Sequence, residues 1–291
     1  MRDDLASGFR DVDGAADFSV FSGCLDLVAA LPYFAECKRE SFGLLEAVPG
    51  RRILDVGCGL GDDAAALAGL VVPGGAAVGI DGSRAMIEAA RVRHGAVAGL
   101  TFEVADAAAL PFDDASFDGC RVDRVLQHVA DPAPAVREMA RVLRPGGVLV
   151  AYDNDWETLT IDPGERATTR AVLNAWCDRF PSGWVGRRLA RLFSEAGLGE
   201  VEVMPRTLVV RELGLAERLY ALSATASGLV ETGALDSGAA GRWMEGLRIA
   251  DGAGLFRSSL TGFLVRGRRG GRRGVREVPA PRGEPVRRFP T

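Results

Sequence analysis

The chain has 291 residues, 47% hydrophobic and 25% charged, an ordinary globular composition whose length suits one large domain or one domain with a cap. A chain of this size buries about 75% of the surface its unfolded form exposes, so the core needs no staple. Its five widely spaced cysteines form no C-x-x-C pair, which excludes a secreted disulfide framework and a four-ligand zinc site. The net charge of −4 divides unevenly: the 26 residues from Arg266 hold nine arginines against two glutamates, so the tail carries +7 and residues 1–265 carry −11. An acidic body excludes a folded nucleic-acid-binding surface.

The start, Met1-Arg2-Asp3-Asp4, has acids where a secretory leader is basic, and no run of about 18 apolar residues marks a membrane span. A cytoplasmic protein without a membrane role is expected. Residues 1–48 read as an N-terminal helical lid segment, helical from residue 15. Short β-branched runs follow at Arg52 to Val56, Ala76 to Ile80, Thr101 to Val104, Asp118 to Val122 and Gly147 to Tyr152. Between them Asp62 to Leu70, Ser83 to His94 and Pro132 to Leu143 are helix-length and apolar on one face. This alternation predicts βαβ units and a parallel sheet covered on both sides. Past Asp153 the rhythm changes to helices over 163–197, a strand at Val201 to Val210, helix over 214–250 and a strand at Ser258 to Val265. The late helices predict a cap over the carboxyl edge of the sheet. From Arg266 the Arg, Gly and Pro content predicts a disordered tail.

The leading motif is Ile53-Leu54-Asp55-Val56-Gly57-Cys58-Gly59-Leu60-Gly61-Asp62, a strand running into a glycine turn and then a helix. Such glycines bring backbone N–H groups close to a ligand, and the helix N-terminus favours negative charge. Asp55 stands two residues before the first glycine. There it would repel a pyrophosphate but can accept bonds from a cationic amino-acid group or a water bound to it, unlike the usual dinucleotide fingerprint. In Gly79-Ile80-Asp81-Gly82-Ser83 an acid ends the next strand, placed to take both hydroxyls of a ribose. Asp106 after the third strand can accept from an adenine amino group while Ala107 packs on the ring.

Together with Arg121 to Val129, Asp131-Pro132, Glu138 and Arg141-Val142-Leu143-Arg144-Pro145-Gly146-Gly147, these elements resemble the class I S-adenosylmethionine-dependent methyltransferases, methyltransferase type 11. Within that class they resemble the ubiquinone and menaquinone biosynthetic branch, over about residues 50–155. The resemblance implies a doubly wound, Rossmann-like, mostly parallel seven-stranded α/β sheet. Residues 49–155 would be the S-adenosylmethionine-binding core and 156–265 the rest of the sheet with its cap. Carried over residue by residue, the family's cofactor contacts fall on Gly57, Gly59, Asp81, Met86, Asp106, Ala107 and Arg124, and the motifs add Asp55 and Gly82. The Pro-Gly-Gly run is a turn that ends a helix and admits the next strand.

On the acceptor side, His128 lies past the fourth strand, where it can remove a proton from a hydroxyl or ring nitrogen. Asp153 at the end of the fifth strand would orient it, as a dyad in similar O-methyltransferases, and Gln127 stands where many relatives have another His. Phe18, Phe21, Tyr33, Trp156 and Trp184, with Trp176 and Phe180, are the candidates for an apolar acceptor pocket beside Gln127. The run Asp153 to Thr158 is dense in carboxylates, but successive residues leaving a strand point to opposite faces, so few of its groups can converge and no metal site is expected. The function expected is methyl transfer to a small aromatic or apolar metabolite, with O, N and C acceptors all open. Lys38 is the only lysine, a hint of a GC-rich genome that suits a bacterial secondary-metabolite tailoring step. A quinone or lipid methyltransferase and a nicotinamide-binding oxidoreductase are the alternatives. The partner is a small-molecule acceptor, with no nucleic acid or membrane, and the protein is a monomer or homodimer.

Overall fold

The computed structural model describes residues 8–162, 164–270 and 274–278. Two helices, α1 (Ser19–Ala29) and α2 (Pro32–Leu44), precede the alternating core of β1 (Arg52–Val56), α3 (Asp62–Val71), β2 (Ala76–Asp81), α4 (Arg84–His94), β3 (Leu100–Val104), β4 (Phe117–Asp123), α5 (Pro132–Val142) and β5 (Leu143–Asn154). Then follow β6 (Thr160–Asp162), α6 (Arg166–Cys177), α7 (Val185–Glu195), β7 (Leu198–Val210), α8 (Leu213–Tyr220), α9 (Leu222–Glu231), α10 (Ser237–Gly252), β8 (Arg257–Arg269) and β9 (Val275–Glu277). The helices start where the sequence supplies caps. Ser83 Oγ accepts from Met86 N at 3.1 Å, and Asp131 Oδ1 accepts from Ala133 N at 3.1 Å with Pro132 opening α5.

The sheet order is β3-β2-β1-β4-β5-β8-β7-β9, with β6 also on β8. Strands β1 to β5 are parallel, while β8 runs antiparallel between β5 and β7. Nine described strands replace the seven expected, because two three-residue pieces, β6 and β9, attach to β8 and β7. Alternation along the strands feeds two cores. Ile53, Val148 and Val150 pack with Leu67 and Val71 of α3, whereas Leu54, Val56 and Leu149 pack with Val136 and Met139 of α5 and Leu189 of α7. The order in which strands are added reverses between β1 and β4, which stay parallel, so the crevice beyond their carboxyl ends is the expected ligand site.

Two boundaries differ from the sequence reading. Arg144-Pro145-Gly146-Gly147 is no free turn but the irregular start of β5, where the ladder to β4 shifts register between Phe117 and Gly119. The tail does not begin at Arg266, because β8 continues to Arg269 and β9 pairs with β7. Arginine content concealed this extension. Arg266 donates to Leu44 O at 3.1 Å and pairs with Glu46 at 2.7 Å. Arg268 also meets Glu46, and Arg269 meets the carbonyls of Arg141 and Leu143. These arginines stitch the strand to α2 and to the end of α5. The rest of the expected tail, 271–273 and 279–291, lies outside the described residues, as do residues 1–7 of the lid segment. Among the described residues no single helix is long and apolar enough to cross a membrane.

Candidate active site

The chain leaves β1 through three glycines in the left-handed region, Gly57 (φ 68°), Gly59 (φ 52°) and Gly61 (φ 82°). A side chain at Gly57 would also run into Val125, so this turn requires glycine for space as well as for φ. The loop is fastened to β2, with Cys58 N donating to Ile80 O at 2.8 Å. Asp81 then organises the neighbourhood. Its Oδ2 accepts from Gly59 N at 3.0 Å and its Oδ1 from Ser83 N at 2.9 Å. Each oxygen retains a lone pair, and both remaining directions suit the two hydroxyls of a ribose. Burial raises the Asp81 pKa above the ordinary carboxylate value, against the pull of those backbone amides.

The expected cofactor residues Gly57, Gly59, Asp81, Gly82, Met86, Asp106, Ala107 and Arg124 all line one cavity of about 720 Å³. Asp106 is held by Ala108 N, which donates to Oδ1 at 2.8 Å. Arg124 adopts φ 55°, donates from Nε to Asp123 Oδ1 at 2.7 Å and lies 4.7 Å over the Phe34 ring. Burial works upward on Asp123, but Arg124, Arg121 and Lys38 pull its pKa down to about 2.

Asp55 does not reach the cavity. It pairs across the β1–β4 ladder with Arg121, and the two buried side chains meet at 3.1 Å. Arg121 also reaches Asp63 at 3.0 Å, Asp123 at 2.5 Å and Ser41 Oγ at 2.9 Å. Burial lifts Asp55 to about 7, with Arg121 opposing. The acid ahead of the glycines therefore anchors a buried arginine beneath the loop instead of contacting a ligand.

A strap of residues 8–18 lies over the cavity mouth. Asp13 Oδ1 accepts from Ser83 Oγ at 2.6 Å and Ala85 N at 3.0 Å, and Oδ2 accepts from Arg84 N at 2.9 Å. These bonds hold its pKa below the ordinary value and latch the strap to the N-terminus of α4, next to Asp81.

The other end of the cavity is apolar, walled by Phe34, Trp156, Phe180, Leu208, Tyr220 and Leu260. Trp156 stacks on Phe180 at 4.8 Å. Of the expected pocket residues, Gln127, Trp156 and Phe180 line it and Phe18, Phe21, Tyr33, Trp176 and Trp184 do not. Phe21 is fully buried against Phe9 at 5.0 Å and supports the strap from behind, and Phe18, at the strap's end, packs in the same cluster. Tyr33 turns its hydroxyl to Arg206 O at 2.8 Å, and Trp184 is 45% exposed ahead of α7. Phe9, Phe34 and Tyr220 were missed, since they come from three separate segments that only the tertiary fold brings together.

The expected dyad takes a different form. Asp153 faces away from the cavity, accepting from Gln127 N at 3.2 Å and Asn154 N at 3.1 Å. It fastens the 3-10 turn Leu126–His128, and burial pushes it up to about 8. Trp156 Nε1, a donor only, lies 2.9 Å from Gln127 Oε1, which fixes that carboxamide. Gln127 Nε2 is then a donor, 3.1 Å from His128 Nε2. The Nε2 lone pair is therefore taken and the ring proton sits on Nδ1. In this arrangement His128 would have to give up the Gln127 contact to act as a base. Its ring instead lies between Phe9 at 5.3 Å and Phe180 at 5.5 Å, joining strap to cap.

The methyltransferase domain family matches residues 54–151. A protein of Streptomyces fradiae, described as an uncharacterized 37.1 kDa protein in transposon TN4556, is 40% identical over 242 residues, 83% of this chain and 69% of that protein. The demethylmenaquinone methyltransferase of Bacillus cereus is 30% identical over 195 residues, 61% of this chain and 82% of that enzyme. The chain belongs to the S-adenosylmethionine-dependent methyltransferases. A solved structure of a putative methyltransferase from Bacillus halodurans, 20% identical, shares this methyltransferase's fold with a TM-score of 0.57 over 80% of this chain and 99% of that one.

The residues present fit the cofactor. Asp81 offers two free carboxylate directions for ribose hydroxyls, Asp106 an acceptor for the adenine amino group, and the left-handed glycines a close backbone approach. When bound, S-adenosylmethionine supplies an electrophilic methyl group. What the chain's own residues add is alignment and exclusion of water. Holding two reactants in attack geometry accounts for about 7 to 11 kcal/mol of a bimolecular barrier.

Proposed function

We propose that this methyltransferase acts on a small aromatic or otherwise apolar metabolite held against Trp156, Phe180 and Tyr220. The observation that carries the reading is the two-ended cavity, with carboxylates and backbone amides at the ends of β2 and β3 and, opposite, the aromatic side chains Phe34, Trp156, Phe180 and Tyr220 beside Leu208 of β7 and Leu260 of β8. The commitment of His128 Nε2 to Gln127 favours acceptors that need no base from that residue, such as an electron-rich ring carbon or an already nucleophilic atom. A single lysine among 35 basic residues, and the likeness to a Streptomyces protein, fit a tailoring step in bacterial secondary metabolism. A quinone acceptor is the second reading, favoured by the likeness to demethylmenaquinone methyltransferase.

Turnover of a panel of hydroxylated aromatics, reduced quinones and small polar amines, each with S-adenosylmethionine, tests the class of acceptor. Methylation of aromatic or quinol acceptors is expected. Methylation confined to polar amines would overturn the proposal.

A further inference from the structure

At the cap side of β5 a chain of hydroxyls ends on a carboxamide that lines the cavity. Tyr152 and Asn154 share one face of that strand, and Tyr33 reaches them from α2. The Tyr33 hydroxyl lies 2.8 Å from Arg206 O and 3.0 Å from the Tyr152 hydroxyl, which in turn lies 3.3 Å from the Asn154 carboxamide. Gly262, opposite Asn154 on β8, leaves the space the Tyr152 phenol occupies, because a side chain there would collide with it. Burial raises both phenol pKa values, so both hydroxyls stay protonated.

Each link has one proton to give. A carbonyl only accepts, so Tyr33 donates to Arg206 O and has only a lone pair left for Tyr152. Tyr152 therefore donates to Tyr33 and must accept from Asn154. The oxygen and nitrogen of a carboxamide have the same shape, and the hydrogen-bond network decides between them. With the oxygen towards Tyr152, as at the 3.3 Å contact, two acceptors would face one another. With the nitrogen there, every link is satisfied. The carboxamide oxygen then points away from the relay, and Asn154 lines the cavity.

We propose that Asn154 is a specificity residue whose carboxamide oxygen accepts a hydrogen bond from an O–H or N–H of the methyl acceptor, with Tyr152 and Tyr33 as the positioning residues that set its orientation. The proposal rests on the aromatic-acceptor reading above and narrows it. The acceptor is an aromatic carrying a hydrogen-bond donor, a phenol, a hydroquinone or a ring N–H, in preference to one carrying carbonyls alone.

Binding of naphthol, naphthalene and naphthoquinone to the protein saturated with S-adenosylhomocysteine tests it by calorimetry. Wild type should bind naphthol about tenfold more tightly than naphthalene, the effect of one buried neutral hydrogen bond, and more tightly than naphthoquinone. Asn154→Leu should bring the three dissociation constants within about twofold of one another. Tyr152→Phe, which frees the carboxamide to turn, should erase the preference for naphthol over naphthoquinone while retaining binding of naphthalene. A wild type that prefers naphthoquinone, shows no preference or binds none of the three would overturn the proposal. So would an Asn154→Leu variant that weakens all three equally, the signature of a merely structural residue. Failure of the broader reading shows differently, as methylation of polar amines alone with the naphthol preference left intact.

Discussion

Asp81→Asn isolates the part of the site on which cofactor binding depends. In the wild type each carboxylate oxygen takes one backbone amide, from Ser83 at 2.9 Å or Gly59 at 3.0 Å, and keeps one direction for a ribose hydroxyl. Asparagine keeps the shape but has one oxygen, so an amide NH2 must face one of those backbone N–H groups and one ribose bond loses its acceptor. Hydrogen bonds to a charged group contribute about 1.5–3 kcal/mol and neutral ones about 0.5–1.5. Weakening one ribose bond and losing or reversing the other therefore costs about 2–4 kcal/mol of binding, or about 30- to 700-fold in Kd. The fold should tolerate the change. Burial raises the folded pKa of Asp81, so its ionisation is a burden that grows as pH rises through that value, and asparagine removes it. Calorimetric titration with S-adenosylmethionine at neutral pH, with a thermal melt as control, checks both parts. A Kd within threefold of wild type in a folded variant would refute the ribose assignment.

Three further outcomes follow from the same geometry. His128→Ala should lower kcat by less than about tenfold, well short of the roughly 10²- to 10⁴-fold a lost general base gives, and a loss in that higher range would restore His128 as the base. Arg121→Met strands Asp55, Asp63 and Asp123 without their shared counter-charge and should cost about 3–5 kcal/mol in urea unfolding. Because Asp55 already lies at about 7, the defect should be greater above that pH than below it, and an unchanged midpoint would contradict the buried network. Asp13→Ala removes the strap's latch, and stopped-flow release of S-adenosylhomocysteine should be faster. In the wild type the latch, whose folded pKa is depressed, is fully held above the ordinary value of 3.8 and lost as pH falls through the depressed value. Unaltered release would show that the strap does not gate the cofactor.

What was legible in the sequence was what local chemistry dictates. The run Arg52 to Val56 was bounded by its own β-branched residues and by Gly57, and β1 has those limits. Asp81 and Asp106 follow from their places at strand ends, which share one edge in a parallel sheet, and Arg124 from the family resemblance, and all three line the cavity. Asp55 was misread because its partner, Arg121, arrives through strand register with β4. Phe21 and Tyr33 were misplaced for a related reason. A helix presents aromatic residues on several faces, and only packing tells which meets the cavity and which meets Phe9 or Tyr152. His128 was correctly placed at the site, yet its chemistry depended on Trp156 fixing Gln127, a relation among three side chains that spacing does not encode. The arginines of β8 read as tail because composition carries no information about Glu46, their partner near the other end of the chain.

The site is arranged for methyl transfer from S-adenosylmethionine within this one cavity. The most direct measurement incubates the protein with methyl-labelled cofactor and a hydroxylated aromatic acceptor, and follows the label by mass spectrometry. Labelled product and S-adenosylhomocysteine should form in equal amounts, both abolished by filling the aromatic end with Leu260→Trp. Label that never leaves the cofactor across the acceptor panel, or transfer unaffected by filling that end, would contradict that arrangement.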